Sequence, residues 1–231
     1  MPEFLWVLLA VTGGIWVFFI LTVAAAILEK KPVMPYYVPA TDEDYDPSPA
    51  AERANDVAHD LHYRYCGVYH DGKPLCRVRY DFWISRDDSI LALVSSGTVA
   101  KIPVNSVSMR SRTGDGQVLF TTNHTGIQDI SGIEDQQTWP DLKFKELAKK
   151  HRRRLKDVEV EPFPAKHPEE VYFEILRHKA KALVARGYAR YVDVDNSVWR
   201  YTLKGALVYY FLGVWVRPIR RFLRTVGLVR D

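Results

Sequence analysis

A long apolar run dominates the start of the chain, because no charged side chain occurs between Phe4 and Leu28. An α-helix rises about 1.5 Å per residue and the hydrocarbon core of a bilayer is about 30 Å thick, so about twenty apolar residues cross it. Residues 1–28 are therefore predicted to form a transmembrane anchor. Only Glu3 precedes the run instead of a basic segment, which favours an uncleaved anchor; the small residues 24–26 leave a cleaved signal peptide as the alternative.

The basic residues nearest to the anchor orient it in the membrane. Lys30 and Lys31 both follow the apolar run, and no Lys or Arg precedes it. Because the cytoplasmic end of a transmembrane helix carries the excess of Lys and Arg, we expect the N-terminus outside and the C-terminal domain in the cytoplasm. The sequence thus predicts a single-pass protein of the cell membrane.

The segment after the anchor has the composition of a linker. Residues 29–50 contain five prolines and a cluster of acids, which disfavour regular structure, so we predict an extended linker. A short helix is predicted to follow at residues 51–62.

Hydrophobic alternation with a period of two then indicates a sheet. In residues 77–85 an aliphatic or aromatic side chain occupies every second position, which is typical of a half-buried strand. Similar short segments continue to Thr122, separated by turn residues such as Ser95–Gly97. We predict six strands over residues 63–122, joined as an antiparallel meander with one buried face that helices must cover.

Two helices are predicted to supply that cover. Apolar residues recur at helical spacing in residues 141–157, with the cations of 149–154 on the exposed face. The second helix is predicted at residues 168–187, with a proline in its first turn and a glycine at its end. A β-hairpin follows at 188–202. The predicted fold class is α+β: one N-terminal transmembrane helix, an antiparallel β-meander domain at residues 51–204 packed by helices and ending in a helix–β-hairpin, and an amphipathic C-terminal helix.

The two cysteines, Cys66 and Cys76, flank the sequence His-Asp-Gly at residues 70–72, which is typical of a three-residue hairpin loop. That register places Cys66 opposite Cys76, as thiols in the cytoplasm or as a disulfide in an oxidising compartment. His59 and His62 would complete a set of zinc-ligand types. Their spacing matches no familiar zinc pattern, so we predict no metal and no cofactor.

Residues 169–207 combine a helix ending in L-x-x-x-G, a strand, an Asp/Asn turn, a second strand and the sequence T-x-K-G. This arrangement resembles the helix-plus-wing half of winged-helix regulators of the MarR kind. In that family the helix enters the major groove and the wing contacts phosphates, so the resemblance implies such contacts for Arg177, Lys181, Arg190 and Arg200. A proline-bearing connection stands where that family has a tight turn before the helix.

The C-terminal residues 205–231 form a second membrane-seeking segment. Twelve apolar residues, too few to cross a bilayer, are followed by an arginine-rich stretch, although the net charge of the chain is only +4. We expect this tail to lie at the headgroup boundary of the same leaflet or to dock on a partner, with packing in the core as the alternative. The predicted membrane-interface residues are Lys30, Lys31, Arg217, Arg220, Arg221 and Arg224.

The sequence lacks the motifs of common enzymes, including the nucleophile elbow, the P-loop and the H-E-x-x-H zinc motif. Its densest polar loop, at residues 123–132, holds His124, Asp129 and Ser131. In a hydrolase His124 could act as the general base, Asp129 could orient it, and Ser131 could be the nucleophile. Such residues are also common wherever a loop turns, because Asn, Asp, Ser and Gly satisfy turn geometry.

These patterns predict a single-pass, non-catalytic interaction or accessory protein with a cytoplasmic α+β domain. Its expected partners are the lipid bilayer and either another membrane protein or a second copy of the chain. Nucleic acid is not expected, and no small-molecule ligand is implied. The alternatives are a membrane-tethered winged-helix DNA-binding regulator and a membrane-bound hydrolase that uses the 123–132 loop.

Overall fold

The computed structural model of the chain describes residues 2–32, 37–39, 46–71, 76–99, 101–125, 128–164, 166–193 and 198–212. In chain order its elements are α1 (Pro2–Leu28), β1 (Lys31–Pro32), β2 (Tyr37–Pro39), α2 (Pro49–Asp60), β3 (Arg64–Asp71), β4 (Cys76–Ile84), β5 (Leu91–Val99), β6 (Ile102–Thr113), β7 (Val118–Thr122), β8 (Glu134–Thr138), α3 (Phe144–Arg154), β9 (Val160–Glu161), α4 (Pro168–Ala185), β10 (Ala189–Asp193), β11 (Val198–Tyr201) and α5 (Leu203–Tyr210).

The chain forms two compact units. The sheet unit comprises residues 33–182, and the anchor unit comprises residues 1–32 together with 183–231. The mixed α+β class predicted from the sequence is confirmed, as is a sheet of antiparallel strands accompanied by helices.

The sheet of the sheet unit has the strand order β2-β3-β4-β5-β6-β7-β8, and β9 pairs with the end of β6. Its neighbours are antiparallel except for β7 and β8, which are parallel. The prediction of six strands over residues 63–122 is wrong, because the described residues of that segment form the five strands β3 to β7. The predicted linker also contributes two short strands, β1 and β2.

Gly97 explains why the strand count differs. The predicted turn at Ser95–Gly97 lies inside β5, which pairs continuously with both β4 and β6. Gly97 has a φ of 143°, and a Cβ atom there would lie 1.9 Å from the carbonyl oxygen of Arg77. The glycine therefore permits a close approach of two strands rather than a turn. The chain reverses after Val99 instead, where Lys101 has a φ of 68°.

The predicted register of the two cysteines is also wrong. β3 continues through His70, which pairs with Arg79, and Asp71, which pairs with Tyr37, so these two residues of the predicted loop belong to the strand. Cys66 lies in a bulge between its paired neighbours, and Cys76 lies opposite Val99 on β5. Neither cysteine forms a disulfide, so both are thiols.

The sheet is buried on both faces, whereas the sequence predicted one buried face. Successive residues of β4 and β5 point to opposite sides, so each strand contributes to two apolar clusters. One cluster packs against α2 and α3 and includes Ala51, Ala58, Trp83, Ala92, Val94, Met109, Phe144 and Leu147. The other packs against α4 and includes Phe82, Ile84, Leu91, Leu93, Val171, Tyr172, Phe173 and Ile175. The sheet unit therefore has three layers.

The helices agree in type with the sequence and differ slightly in length. The hydroxyl of Ser48 accepts a hydrogen bond from the amide of Ala51 at 3.2 Å, so α2 begins at Pro49, two residues before the predicted start. Predicted residues 141–157 form α3 at Phe144–Arg154. Predicted residues 168–187 form α4 at Pro168–Ala185.

The anchor unit contains a three-stranded antiparallel sheet with the order β1-β11-β10, and α1 packs against both β11 and α5. The segment Leu9–Leu28 of α1 is long and apolar enough to cross a membrane. At Gly205 of α5, an added Cβ atom would lie 1.8 Å from the carbonyl oxygen of Tyr188. This glycine is therefore required where α5 meets the segment leading into β10.

Candidate functional site

The end of the apolar helix is built into the anchor unit. α1 ends at Leu28, and three residues later Lys31 pairs with Trp199 on β11. Val23 and Ala26, near the end of α1, are buried, while the apolar side chains described between Trp6 and Leu21 are largely exposed. The apolar helix therefore leads directly into a folded element.

Aromatic side chains cluster beside this end of the helix. Trp199 and Tyr201 have ring centroids 5.1 Å apart, Tyr201 and Tyr209 also 5.1 Å, and Tyr209 and Tyr210 5.4 Å. Burial raises the pKa of Tyr209, so its hydroxyl stays protonated at neutral pH. We call these four residues the aromatic cluster.

Two lysines cover aromatic rings of the anchor unit. The Nζ atom of Lys31 lies 5.1 Å from the ring centroid of Tyr201 and 6.0 Å from that of Trp199. The Nζ atom of Lys204 lies 5.0 Å from the ring centroid of Tyr188. Lys31 also contacts Glu29 at 3.1 Å. Of the predicted membrane-interface residues, only Lys30 and Lys31 lie in the part described; Arg217, Arg220, Arg221 and Arg224 lie outside it.

The helix and hairpin of the winged-helix resemblance are present as α4, β10 and β11. Arg177 and Lys181 are exposed on α4, while Arg190 and Arg200 are directly opposite each other in the hairpin. The third strand beside this hairpin is β1, which follows the apolar helix. A DNA-binding wing would thus be tied to the anchor, and DNA binding stays a prediction.

The candidate hydrolase residues are only partly brought together. The Ser131 hydroxyl donates a hydrogen bond to Asp129 at 2.6 Å, and Asp129 also accepts from the amides of Gly132 and Glu134. Among the described residues, neither Ser131 nor Asp129 bonds to His124, which is exposed. The Asp129–Ser131 pair therefore shapes the turn that leads into β8.

Asp129 belongs to a buried ion cluster with Arg110, Glu134 and Lys179. Arg110 donates to Glu134 at 3.0 Å, Lys179 donates to the other oxygen of Glu134, and Lys179 lies 3.2 Å from Asp129. The Arg110 guanidinium also lies 4.0 Å from the ring centroid of Phe120. The two positive and two negative charges of this cluster therefore cancel within the sheet unit.

The cluster keeps its members charged. Burial would raise the pKa of Glu134, but the charges of Arg110 and Lys179 outweigh burial and lower that pKa. Burial would likewise lower the pKa of Lys179, but Glu134 and Asp129 raise it. Lys179, which lies between Arg177 and Lys181 on α4, is thus paired with the carboxylates of this cluster.

A second buried polar group centres on His151, which is fully buried although it lies in the basic sequence KKHRRR. The Ser111 hydroxyl donates its single hydrogen to the carbonyl of Ser89 at 2.6 Å. In its contact with Nε2 of His151, 2.9 Å away, the Ser111 oxygen must therefore be the acceptor and Nε2 the donor. Nδ1 of His151 must then accept from the Thr121 hydroxyl at 2.8 Å, whose oxygen accepts from Arg154 at 2.9 Å.

This directed series of hydrogen bonds fixes His151 as the neutral tautomer that is protonated on Nε2. Burial, with the charges of Arg154, Arg110 and Arg152, lowers the pKa of His151 to about 3. The predicted exposure of residues 149–154 is therefore wrong at His151. The spacing in the sequence indicates this burial, because His151 follows the core residues Leu147 and Ala148 by four and three positions and so lies on the same face of α3.

The described residues contain no group of three or more His, Cys, Asp or Glu side chains that could hold a metal ion. A scan against models of known protein families finds no match, and no curated protein or solved structure matches the chain.

Proposed function

We propose that the chain is a single-pass membrane protein that acts as a non-catalytic interaction or accessory protein, with its N-terminus outside and its C-terminal domain in the cytoplasm. The observation that supports this most strongly is the anchor unit, in which α1 packs against β11 and α5 and leads directly into β1. An anchor with this construction holds the hairpin close to the membrane instead of tethering it loosely.

The side chains at the end of α1 suit a lipid headgroup region. Trp and Tyr rings are enriched at membrane interfaces because they combine an apolar body with a polar tip. The aromatic cluster supplies such rings, and Lys30, Lys31 and Lys204 supply cations, each worth about 1 kcal/mol near anionic lipid. We further propose that the tail after α5 returns to this same leaflet.

The exposed surface of α1 supports a protein partner within the membrane. A Cβ atom added at Gly13 or Gly14 would meet nothing within 4 Å among the described residues, so neither glycine is needed for packing against that part of the chain. Small residues let a second transmembrane helix approach closely, which favours association by backbone and van der Waals contacts. The partner is another membrane protein or a second copy of the chain.

The matched variants Gly13→Ile and Val11→Ile test this partner. Chemical crosslinking of the full chain in its membrane is expected to give a species larger than the monomer. Gly13→Ile should remove most of that species, because the new side chain separates the two helices. Val11→Ile adds one methylene to another exposed position and should leave the pattern unchanged.

A chain that stays monomeric on crosslinking would contradict the proposed association. So would a crosslinked species that survives Gly13→Ile at its original level, because the glycine pair would then lie outside the contact.

A further inference from the structure

The exposed face of α3 carries a row of cations. Eight of the fourteen residues at positions 143–156 are Lys or Arg, and Glu146 is the single acid among them. Lys145, Lys149 and Arg153 follow one another at intervals of four residues, so they are spaced by about 6 Å along one side of the helix. All three are exposed to solvent, and we call them the basic row. The opposite face of α3 is buried and consists of Phe144, Leu147, Ala148 and His151.

The basic row has no acidic partner among the residues that the structure describes. Two neighbouring arginines of α3 do have one: Arg154 pairs with Asp135 at 2.7 Å, and Arg152 lies 3.7 Å from Asp87. The three charges of the basic row therefore face solvent without compensation from this part of the chain.

The helix itself gains little from the basic row. Like charges four residues apart repel each other and destabilise a helix. Cations are favoured in the last turn, where Arg153 lies, but Lys145 lies in the first turn, where the helix end is itself partially positive. A negatively charged surface outside the chain would offset both unfavourable effects.

The end of α3 lies at the edge of the sheet where the chain leaves the sheet unit. Arg154 donates to Asp135 at 2.7 Å on β8, which is the edge strand. The preceding residue of β8, Glu134, accepts from Lys179 of α4. The chain enters the anchor unit at residue 183, four residues after Lys179. The basic end of α3 and the segment that leads to the anchor unit therefore meet at the same edge of the sheet.

The apolar face of α3 is already used inside the sheet unit, because Phe144 and Leu147 pack in its core. The helix therefore has no apolar face left to sink into hydrocarbon, and contact with lipid would be electrostatic, at the headgroups. The cytoplasmic leaflet has a negative surface potential. Groups of about four to eight Lys or Arg on a helix are typical of binding to its anionic lipids.

We propose that the basic row binds the phosphate groups of anionic phospholipids in the cytoplasmic leaflet, so that the sheet unit rests on the membrane through the exposed face of α3. This inference rests on the membrane anchoring proposed above, and it adds a contact that involves neither α1 nor the C-terminal tail. A lipid surface is favoured over nucleic acid because the anchor keeps the headgroups at a high effective concentration around the sheet unit.

Quenching by lipid headgroups that carry a nitroxide tests this contact. The full chain with Cys66→Ser/Cys76→Ser carries one dye-labelled thiol at Glu146→Cys, beside the basic row. It is reconstituted into liposomes of phosphatidylcholine with or without phosphatidylserine. The headgroup nitroxide is expected to quench the dye more strongly when phosphatidylserine is present. The difference should disappear in about 1 M NaCl, where the Debye length is about 3 Å.

The variant Lys145→Gln/Lys149→Gln/Arg153→Gln removes the basic row. It should lower the ratio of lipid-bound to free α3 by about 100-fold, because each cation near anionic lipid contributes a factor of about five. The extra quenching by phosphatidylserine should therefore be lost. A control variant removes the same net charge from three other exposed positions of the sheet unit and should keep the extra quenching. The control is Arg53→Gln/Lys166→Gln/Arg177→Gln.

The proposal is overturned if quenching is equal with and without phosphatidylserine, or if the variant without the basic row keeps the difference. Binding of duplex RNA to the full chain in neutral micelles, together with no effect of phosphatidylserine, would make α3 a nucleic-acid surface instead. Carbonate extraction reports on the anchor separately. A chain that stays in the membrane without the extra quenching contradicts the contact of α3 alone. A chain that is extracted contradicts the anchoring alone, because the quenching is measured before extraction.

Discussion

Glu134→Gln is expected to lower the free energy of unfolding of the sheet unit by about 3–5 kcal/mol. Glu134 is buried and joins Arg110 to Lys179, so its neutral replacement removes the carboxylate that both cations contact. Breaking one side of a buried ion pair is costly because the remaining charge keeps its desolvation penalty. Urea unfolding of the full chain in detergent, followed by tryptophan fluorescence, measures the change.

Asp135→Asn is the matched control on the neighbouring residue of β8. Asp135 pairs with Arg154 at 2.7 Å, but its side chain is 54% exposed, so the loss should stay below about 1 kcal/mol. Adding Lys179→Gln to Glu134→Gln restores the charge balance and should recover part of the stability. Equal effects of Glu134→Gln and Asp135→Asn would show that the ion cluster does not stabilise the fold.

The stability of the sheet unit is expected to fall by about 2 kcal/mol between pH 7 and pH 5, because of His151. Its pKa is lowered from 6.5 to about 3 in the folded chain. The contribution is therefore fully present above pH 6.5 and is lost as the pH falls toward 3, since only the unfolded chain takes up the proton. The slope approaches about 1.4 kcal/mol per pH unit below pH 6.

His151→Gln tests this assignment, because an amide can donate to Ser111 and accept from Thr121 but does not titrate. The variant should flatten the pH dependence between pH 7 and pH 5. The buried carboxylates Asp129 and Glu134 have lowered pKa values and lose their contribution only at more acidic pH. His59→Gln, at an exposed position of α2, should keep the original slope. A profile for His151→Gln parallel to that of the unchanged protein would contradict the assignment.

Local patterns predicted several elements well. The uncharged run of α1, the proline and glycine that bound α4, and the hairpin of β10 and β11 are all recognisable from their own residues. Each depends on short-range chemistry, namely continuous hydropathy, helix-terminal preferences and turn residues. The confirmed α+β class follows from the same features.

Contacts between residues far apart in the sequence explain where the predicted and the observed elements differ. β8 has the polar sequence EDQQT, and it is a strand because it pairs in parallel with β7. Glycine at position 97 is typical of a turn, but here it allows the close approach of the neighbouring strand β4. The burial of both sheet faces depends on α4 folding onto the sheet from a position far along the chain.

The buried ion cluster and the hydrogen bonds of His151 could not be predicted from local sequence patterns. Lys179 and His151 lie in basic stretches that normally indicate a solvated surface, and both are paired inside the sheet unit. Their partners come from strands 30 to 45 residues away in the chain. Only Asp129 among the predicted catalytic residues joins such a group, and its role there is electrostatic.

Thiol labelling in intact cells tests the central claim most directly. The natural cysteines are replaced in Cys66→Ser/Cys76→Ser, and a new thiol is introduced by Asp60→Cys at the exposed end of α2. A membrane-impermeant maleimide is then added before and after the membrane is permeabilised. A single-pass anchor with a cytoplasmic domain predicts labelling only after permeabilisation. Full labelling of intact cells would contradict the proposed orientation and place the sheet unit outside.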